Sequence, residues 1–199
     1  MSNVNKRLSL KQLECRLQDI DDFERPKIEL EQYATPPHIA ATLINTIDST
    51  YDHLRDKYVA DLGCGTGRLA IGSVFSGAAQ VVGYDIDKSA IDCAIQNVSE
   101  LFGDDDDDES FEEGDGQSSE KRSQTILNAY KGCRSVNFVL ADIRSLGGCD
   151  SKRFDTVIMN PPFGTKQNQG LDIIFLEQAI RMCAGFVYSL HKTSTRDVS

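Results

Sequence analysis

No stretch of this chain approaches the ~18 consecutive apolar residues that a membrane-spanning helix needs, so no membrane association is expected. The amino terminus, MSNVNKRLSLKQLE, lacks the apolar core of a signal peptide, which predicts an intracellular protein. Six cysteines (Cys15, Cys64, Cys93, Cys133, Cys149 and Cys183) are scattered without one C-x-x-C pair. That spacing argues against a zinc cage or a disulfide framework and for free thiols in a reducing compartment, so no metal site is expected. Internal repeats are absent as well.

Bases are in short supply: 21 Lys and Arg stand against 31 Asp and Glu, a net charge of −10. Taken whole, that balance disfavours a polyanionic partner. The deficit is local, however. Residues 103–122, GDDDDDESFEEGDGQSSEKR, hold ten acids and two bases, and the remainder is nearly neutral. An acidic run with Gly, Ser and a single Phe lacks the apolar surface to fold. It is expected as a disordered insertion, in the simplest case a solvated spacer, within one domain spanning 1–199. The rest of the surface stays free to meet RNA.

What the chain does have is a regular alternation of elements. LSLKQLECRLQDIDDF sets Leu10, Leu13 and Leu17 at helical spacing. In ATPPHIAATLINTI, Thr35 suits an N-cap and Pro36 a first helical position, predicting a helix to about Asp48. KYVADLGCGTGRLAIGSVFSG reads as a strand, a glycine-rich turn and a helix; AQVVGYDID as a second strand and KSAIDCAIQNVSELF as a helix. SVNFVLADI is a third strand, FDTVIMNPPFG a fourth, LDIIFLEQAIRMC a helix and FVYSLH a fifth strand. Strands alternating with helices predict an α/β fold, a doubly wound, mostly parallel sheet whose ligands sit at the carboxyl ends of the strands.

The turn DLGCGTG follows a strand and opens a helix, so Gly63, Gly65 and Gly67 let the backbone pass close to a ligand. Their spacing is G-x-G-x-G rather than the G-x-G-x-x-G of dinucleotide binders. No Lys or Arg sits within the turn to meet a pyrophosphate. Asp85, at the end of the second strand, suits ribose hydroxyls, and Asp142, at the end of the third, an adenine amine. A nucleoside cofactor without phosphates fits this set, and S-adenosyl-L-methionine is one. The plain alternative is a tight turn with incidental acids.

MNPPFGT, at the end of the fourth strand, carries the second constellation. An exocyclic amine on a planar ring is a poor nucleophile, because its lone pair is delocalised. The side-chain oxygen of Asn160 and the carbonyl of Pro161 would accept its two hydrogens and turn the lone pair outward. Pro161 and Pro162 fix φ and hold that carbonyl rigid. Phe163 would stack on a base that has left its helix. Methylation of cytosine C5 needs a cysteine nucleophile beside the proline, and none is present.

Together, LEQYATPPHIA, VADLGCGTGRLAIG, VGYDID, FDTVIMNPPFGTK and YSLHKTSTR resemble the eukaryotic methyltransferase-like enzymes that make N6-methyladenosine in small-subunit ribosomal RNA. The likeness covers nearly all the chain except the acidic insertion. It implies a Rossmann-like class I S-adenosylmethionine-dependent methyltransferase, found in nucleus and cytoplasm and paired with a small zinc-ribbon activator protein. It also implies that Gln32 and Thr35 close over the cofactor, that Gly63, Thr66 and Arg68 line its methionine and ribose end, and that Asp142 with Ile143 holds the adenine. Asp85 would hold the ribose, and Asn160, Pro161, Pro162 and Phe163 the target amine. From the residues alone, Gln32 and Thr35 read equally well as a helix cap and its approach.

Two departures from that family stand out. The acidic insertion precedes the third strand, the expected outer edge of the sheet and the docking edge for the activator. The chain also stops where the family continues into a helix and two last strands. Ser194–Asp197 has the spacing of a capping box with no helix after it, so strand 186–190 is expected as an exposed apolar edge and the protein as marginally stable. Other readings stay open: a methyltransferase of DNA adenine or of a protein glutamine amide, or an inactive form that binds cofactor or activator. The basic residues of GTKQNQG and HKTSTR favour a polyanionic substrate. A nicotinamide oxidoreductase is disfavoured by the glycine spacing.

Overall fold

Strand β1 (Tyr58–Leu62) divides the hydrophobic side chains between two cores. Val59 points to one face of the sheet and joins a cluster with Leu17, Ile44, Ile71, Ile91 and Phe138. Ala60 and Leu62 join the other, with Val157, Met159, Phe175 and Ala179. A strand buried on both faces reads as a continuous apolar run, which is why YVADL carries no polar alternation. The structure, a computed structural model, describes residues 7–102, 126–127, 136–146, 152–162, 168 and 170–191.

The sheet runs β3-β4-β2-β1-β5-β6, with β2 Gln80–Asp85, β3 Ile126–Leu127, β4 Val136–Leu140, β5 Phe154–Met159 and β6 Cys183–Ser189. All pairings are parallel except β3 with β4. Helices α1 (Leu10–Gln18), α2 (Pro37–Tyr51), α3 (Arg68–Phe75) and α4 (Lys88–Phe102) bury residues in the first core, and α5 (Leu171–Met182) covers the second. The expected doubly wound architecture is therefore present, and the carboxyl ends of β1, β2, β4 and β5 meet at one edge.

Local chemistry explains the element boundaries, and in four places it corrects the sequence reading. Helix α1 opens on a capping box of Ser9 and Gln12 and buries Leu13 and Leu17, whereas Leu10 lies on its exposed side. Thr35 is not the cap of α2. The cap falls one residue later, on Pro36, with Pro37 in the first turn and no side-chain cap bond, and the helix runs past Asp48 to Tyr51. Thr35 is diverted because its hydroxyl has a partner across the sheet, described below. The third predicted strand is not bare at its outer edge: Ile126 and Leu127 pair antiparallel with Val139 and Phe138. Two residues are too short for a periodic signal. Finally, β6 begins at Cys183, directly after Met182, so helix and strand meet without a loop.

Strand β6 pairs with β5 alone among the described residues, and its Phe186 is 50% exposed. The insertion 103–122, Phe163, most of GTKQNQG and Ser194–Asp197 lie outside the described residues. Among those described, no helix is long and apolar enough to cross a membrane, and no three His, Cys, Asp or Glu side chains cluster to hold a metal ion.

Candidate active site

The loop after β1 winds through Gly63, Gly65 and Gly67 with φ of 69°, 54° and 85°. At Gly65 the requirement is twofold: φ is left-handed, and a Cβ would stand 2.9 Å from the Phe23 ring. The turn is tied to the end of β2. The N–H groups of Gly63 and Cys64 donate to the Tyr84 carbonyl at 2.8 and 3.0 Å. Gly65 N–H donates to Asp85 Oδ2, and Asp87 N–H to Asp85 Oδ1, both at 2.9 Å. Burial pushes the Asp85 carboxyl above its ordinary range, with these backbone donors pulling against it. Asp85 so does two things, organising the turn and lining the cavity above it.

Beneath the turn lies a residue that the sequence reading passed over. Asp61, at the end of β1, is 1% exposed, and neither of its carboxylate oxygens meets a partner. Burial pushes its carboxyl up to about 8, against the pull of the Ala70 backbone N–H and with the nearby Asp85 adding to the rise. A buried carboxylate without a donor is costly, and it is retained where a cationic group completes it. The signal was available in YVADL: one acid inside an otherwise apolar strand.

A strap formed by residues 20–35 roofs the cavity, and polar side chains pin it at several points. Arg68, buried at the start of α3, donates through Nη1 to the Thr35 carbonyl at 2.9 Å and through Nη2 to the Ile20 carbonyl. Its guanidinium also pairs with Asp22 at 2.7 Å, leaving only Nε without a partner. Arg68 lines the cavity, but its hydrogen bonds serve the strap. Gln32 is similarly engaged: its amide donates to Asp87 Oδ2 at 2.7 Å and accepts from Lys27 N–H at 2.8 Å. Lys27 Nζ adds a 2.6 Å contact to the same carboxylate. Burial pushes Asp87 up, yet the Lys27 and Gln32 bonds leave it below its ordinary range.

On the opposite wall, Asp142 accepts from Arg144 through Nε and Nη2 and from the Arg144 N–H, and these bonds hold its carboxyl low. Ile143 beside it is buried. Thr66 is buried within the turn, its carbonyl accepting from Asn97 at 2.9 Å.

At the mouth stands Asn160, the first residue after β5. Its Nδ2 donates to Thr35 Oγ1 at 2.8 Å, which fixes the orientation of the amide. Its Oδ1 accepts from the Tyr33 hydroxyl at 3.1 Å, and the same hydroxyl reaches the Pro161 carbonyl at 3.5 Å. Two acceptors on adjacent residues therefore converge on one polar atom. The cavity behind them has a volume of about 200 Å³. Gln32, Thr35, Gly63, Thr66, Arg68, Asp85, Asp142, Ile143, Asn160 and Pro162 all line it, joined by Phe23, Tyr33, Asp61 and Phe175. Pro161 lies outside this lining, its carbonyl meeting the Tyr33 hydroxyl.

The chain as a whole is similar to known proteins. The family model for ribosomal protein L11 methyltransferase matches residues 38–126. The rRNA N6-adenosine-methyltransferase METTL5 of zebrafish (Danio rerio) is 46% identical over 96% of this chain and 77% of its own length. Its Drosophila melanogaster counterpart is 44% identical over 96% of this chain and 76% of its own. The chain belongs to the rRNA N6-adenosine-methyltransferase family. As a member, it is an enzyme that methylates adenine in rRNA. A crystal structure described as a putative RNA methyltransferase from Pyrococcus horikoshii superposes with a TM-score of 0.69 at 31% identity, over 94% of this chain and 74% of that one. The sheet is that of the class I methyltransferases.

Proposed function

We propose that this rRNA adenine methyltransferase uses S-adenosylmethionine to methylate the N6 amine of an adenosine in small-subunit, 18S-type rRNA, as a heterodimer with a small zinc-ribbon activator, in nucleus and cytoplasm. The observation that carries the chemistry is the convergence of Asn160 Oδ1 and the Pro161 carbonyl on one donor at the cavity mouth. The activator and the small-subunit target rest on the family resemblance.

The residues present suit the cofactor. The orphaned carboxylate of Asp61 calls for a buried cation such as an amino-acid ammonium, and Asp85 offers lone pairs for ribose hydroxyls. Gly63 and Thr66 would flank the amino-acid end, and Asp142 with Ile143 the adenine. When bound, S-adenosylmethionine supplies an electrophilic methyl on a sulfonium. The chain's own part is positional. Asn160 Oδ1 and the Pro161 carbonyl accept the two N6 hydrogens, hold the amine, and weaken its conjugation with the ring. Thr35 holds the Asn160 amide in that orientation, and on the family resemblance Phe163 would stack on the base.

The test is co-expression with the zinc-ribbon activator, followed by transfer of tritiated methyl groups to rRNA. The expected result is label in small-subunit rRNA, recovered after nucleoside hydrolysis as N6-methyladenosine. Label confined to protein or to DNA overturns the proposal.

A further inference from the structure

Tyr33 has no part in the cofactor chemistry, yet its hydroxyl sits where the reaction needs an amine. It donates toward Asn160 Oδ1 at 3.1 Å and lies 3.5 Å from the Pro161 carbonyl. A phenol oxygen on its six-membered ring has the same connectivity as an exocyclic amine on adenine. We infer that the Tyr33 side chain is a placeholder for the target base, an internal competitor that fills the amine slot until a substrate displaces it. This inference rests on the amine-site reading proposed above.

Three observations favour a side chain that swings over a strap that opens. The flanking residues are fixed on both sides, Gln32 by Asp87 and Thr35 by Arg68 and Asn160. Tyr33 itself is 40% exposed at the mouth, so its ring has solvent to move into. Its hydroxyl also has one hydrogen for two acceptors, giving one firm and one long contact. An adenine amine brings two hydrogens and satisfies both acceptors. The exchange therefore favours the base but costs it the bond that Tyr33 gives up. Burial and the charge of Glu31 push the Tyr33 hydroxyl up to about 12 against the pull of the Asn160 bond, so it remains a donor throughout the working range.

Tyr33→Phe keeps the ring and removes the competing donor. The experiment is calorimetric binding of two short single-stranded RNAs to the full chain, identical except for adenosine or inosine at the target position. Inosine presents a carbonyl where adenosine presents the amine, so it meets repulsion from both acceptors. In the variant, affinity for the adenosine RNA is expected to rise about fivefold, the net worth of one hydrogen bond, while the inosine RNA changes less than twofold. Unchanged or weaker binding of the adenosine RNA, with the preference over inosine retained, overturns the placeholder alone. Equal tightening of both RNAs also overturns it, because Tyr33 then merely crowds the mouth. Equal affinity of the wild-type chain for the two RNAs overturns the amine-site reading and the placeholder with it. A melting temperature within a few degrees of wild type verifies that Tyr33→Phe folds.

Discussion

The floor and the mouth of the cavity are built in opposite ways. The floor comes from one compact stretch: strand β1, the glycine turn and the end of β2 bind each other through backbone N–H groups and the Asp85 carboxylate. The mouth is assembled across the whole chain, with Asn160 bonded to Thr35 and Tyr33, 125 and 127 residues earlier. A local floor and a long-range mouth separate binding of a cofactor from selection of a substrate. Damage to one need not pass to the other.

The strongest test of that separation is Asn160→Ala. It removes one acceptor of the amine and should lower methyl transfer by roughly 10²–10³, the usual cost of a lost transition-state hydrogen bond. Calorimetry should find cofactor affinity within about twofold of wild type, because the floor stays intact. Parallel loss of both would merge the two regions into one unit.

Asp85→Ala strikes the floor. Losing charge-assisted hydrogen bonds to ribose should weaken S-adenosylmethionine binding by about 1.5–3 kcal/mol, measured by the same titration. Gly65→Ala acts on the same region through the backbone, at φ 54° and against Phe23. Left-handed strain of about 1–2 kcal/mol should appear as a lower melting temperature together with weaker cofactor binding.

Asp61 sharpens the comparison through pH. Its folded carboxyl, at about 8, lies above the ordinary 3.8, so the folded state holds the proton more tightly than the unfolded one. Its stabilising contribution is complete below the unfolded value and is lost as pH rises through about 8. The free protein should therefore melt lower as pH climbs from about 4 to 8 from this group alone, and Asp61→Asn should flatten that slope. Binding of a cationic group should release a proton, seen as a dependence of the calorimetric heat on buffer ionisation enthalpy. The smallest effect belongs to the strap: Asp87→Ala, which frees Lys27 and Gln32, should raise the cofactor dissociation constant only about threefold, since Lys27, the cationic end of the clasp, is 40% exposed and such a pair contributes about 1 kcal/mol or less.

The same contrast decides what the sequence alone made legible. The glycine turn and its strand-end acids are spelled out within a few residues of one another, as is the Asn160–Pro162 motif at the end of β5. The parallel sheet follows from apolar runs interleaved with helical periodicity. Tyr33 and the true partner of Thr35 were hidden, because their meaning depends on a contact more than a hundred residues away. Asp61 is visible in its strand but carries no role on sequence grounds, since an acid beside a glycine turn looks like part of the turn until its burial is known. The short strand β3 left no trace, two residues being below any period.

Arg68 has a consequence for the order in which the site can form. Its guanidinium holds Ile20, Asp22 and Thr35 from the first turn of α3, and that turn exists only once the glycine loop has closed. The loop can form without the strap, but without the loop the strap loses its Arg68 anchor and keeps only the clasps to Asp87, Asn97 and Asn160. Opening should thus be hierarchical, with the segment from Ile20 to Thr35 released first as one cooperative unit. In native-state hydrogen exchange, the amides bonded within residues 20–35 then exchange no more slowly than those of the glycine loop and the first turn of α3. The enzyme can loosen its roof while its floor stays folded.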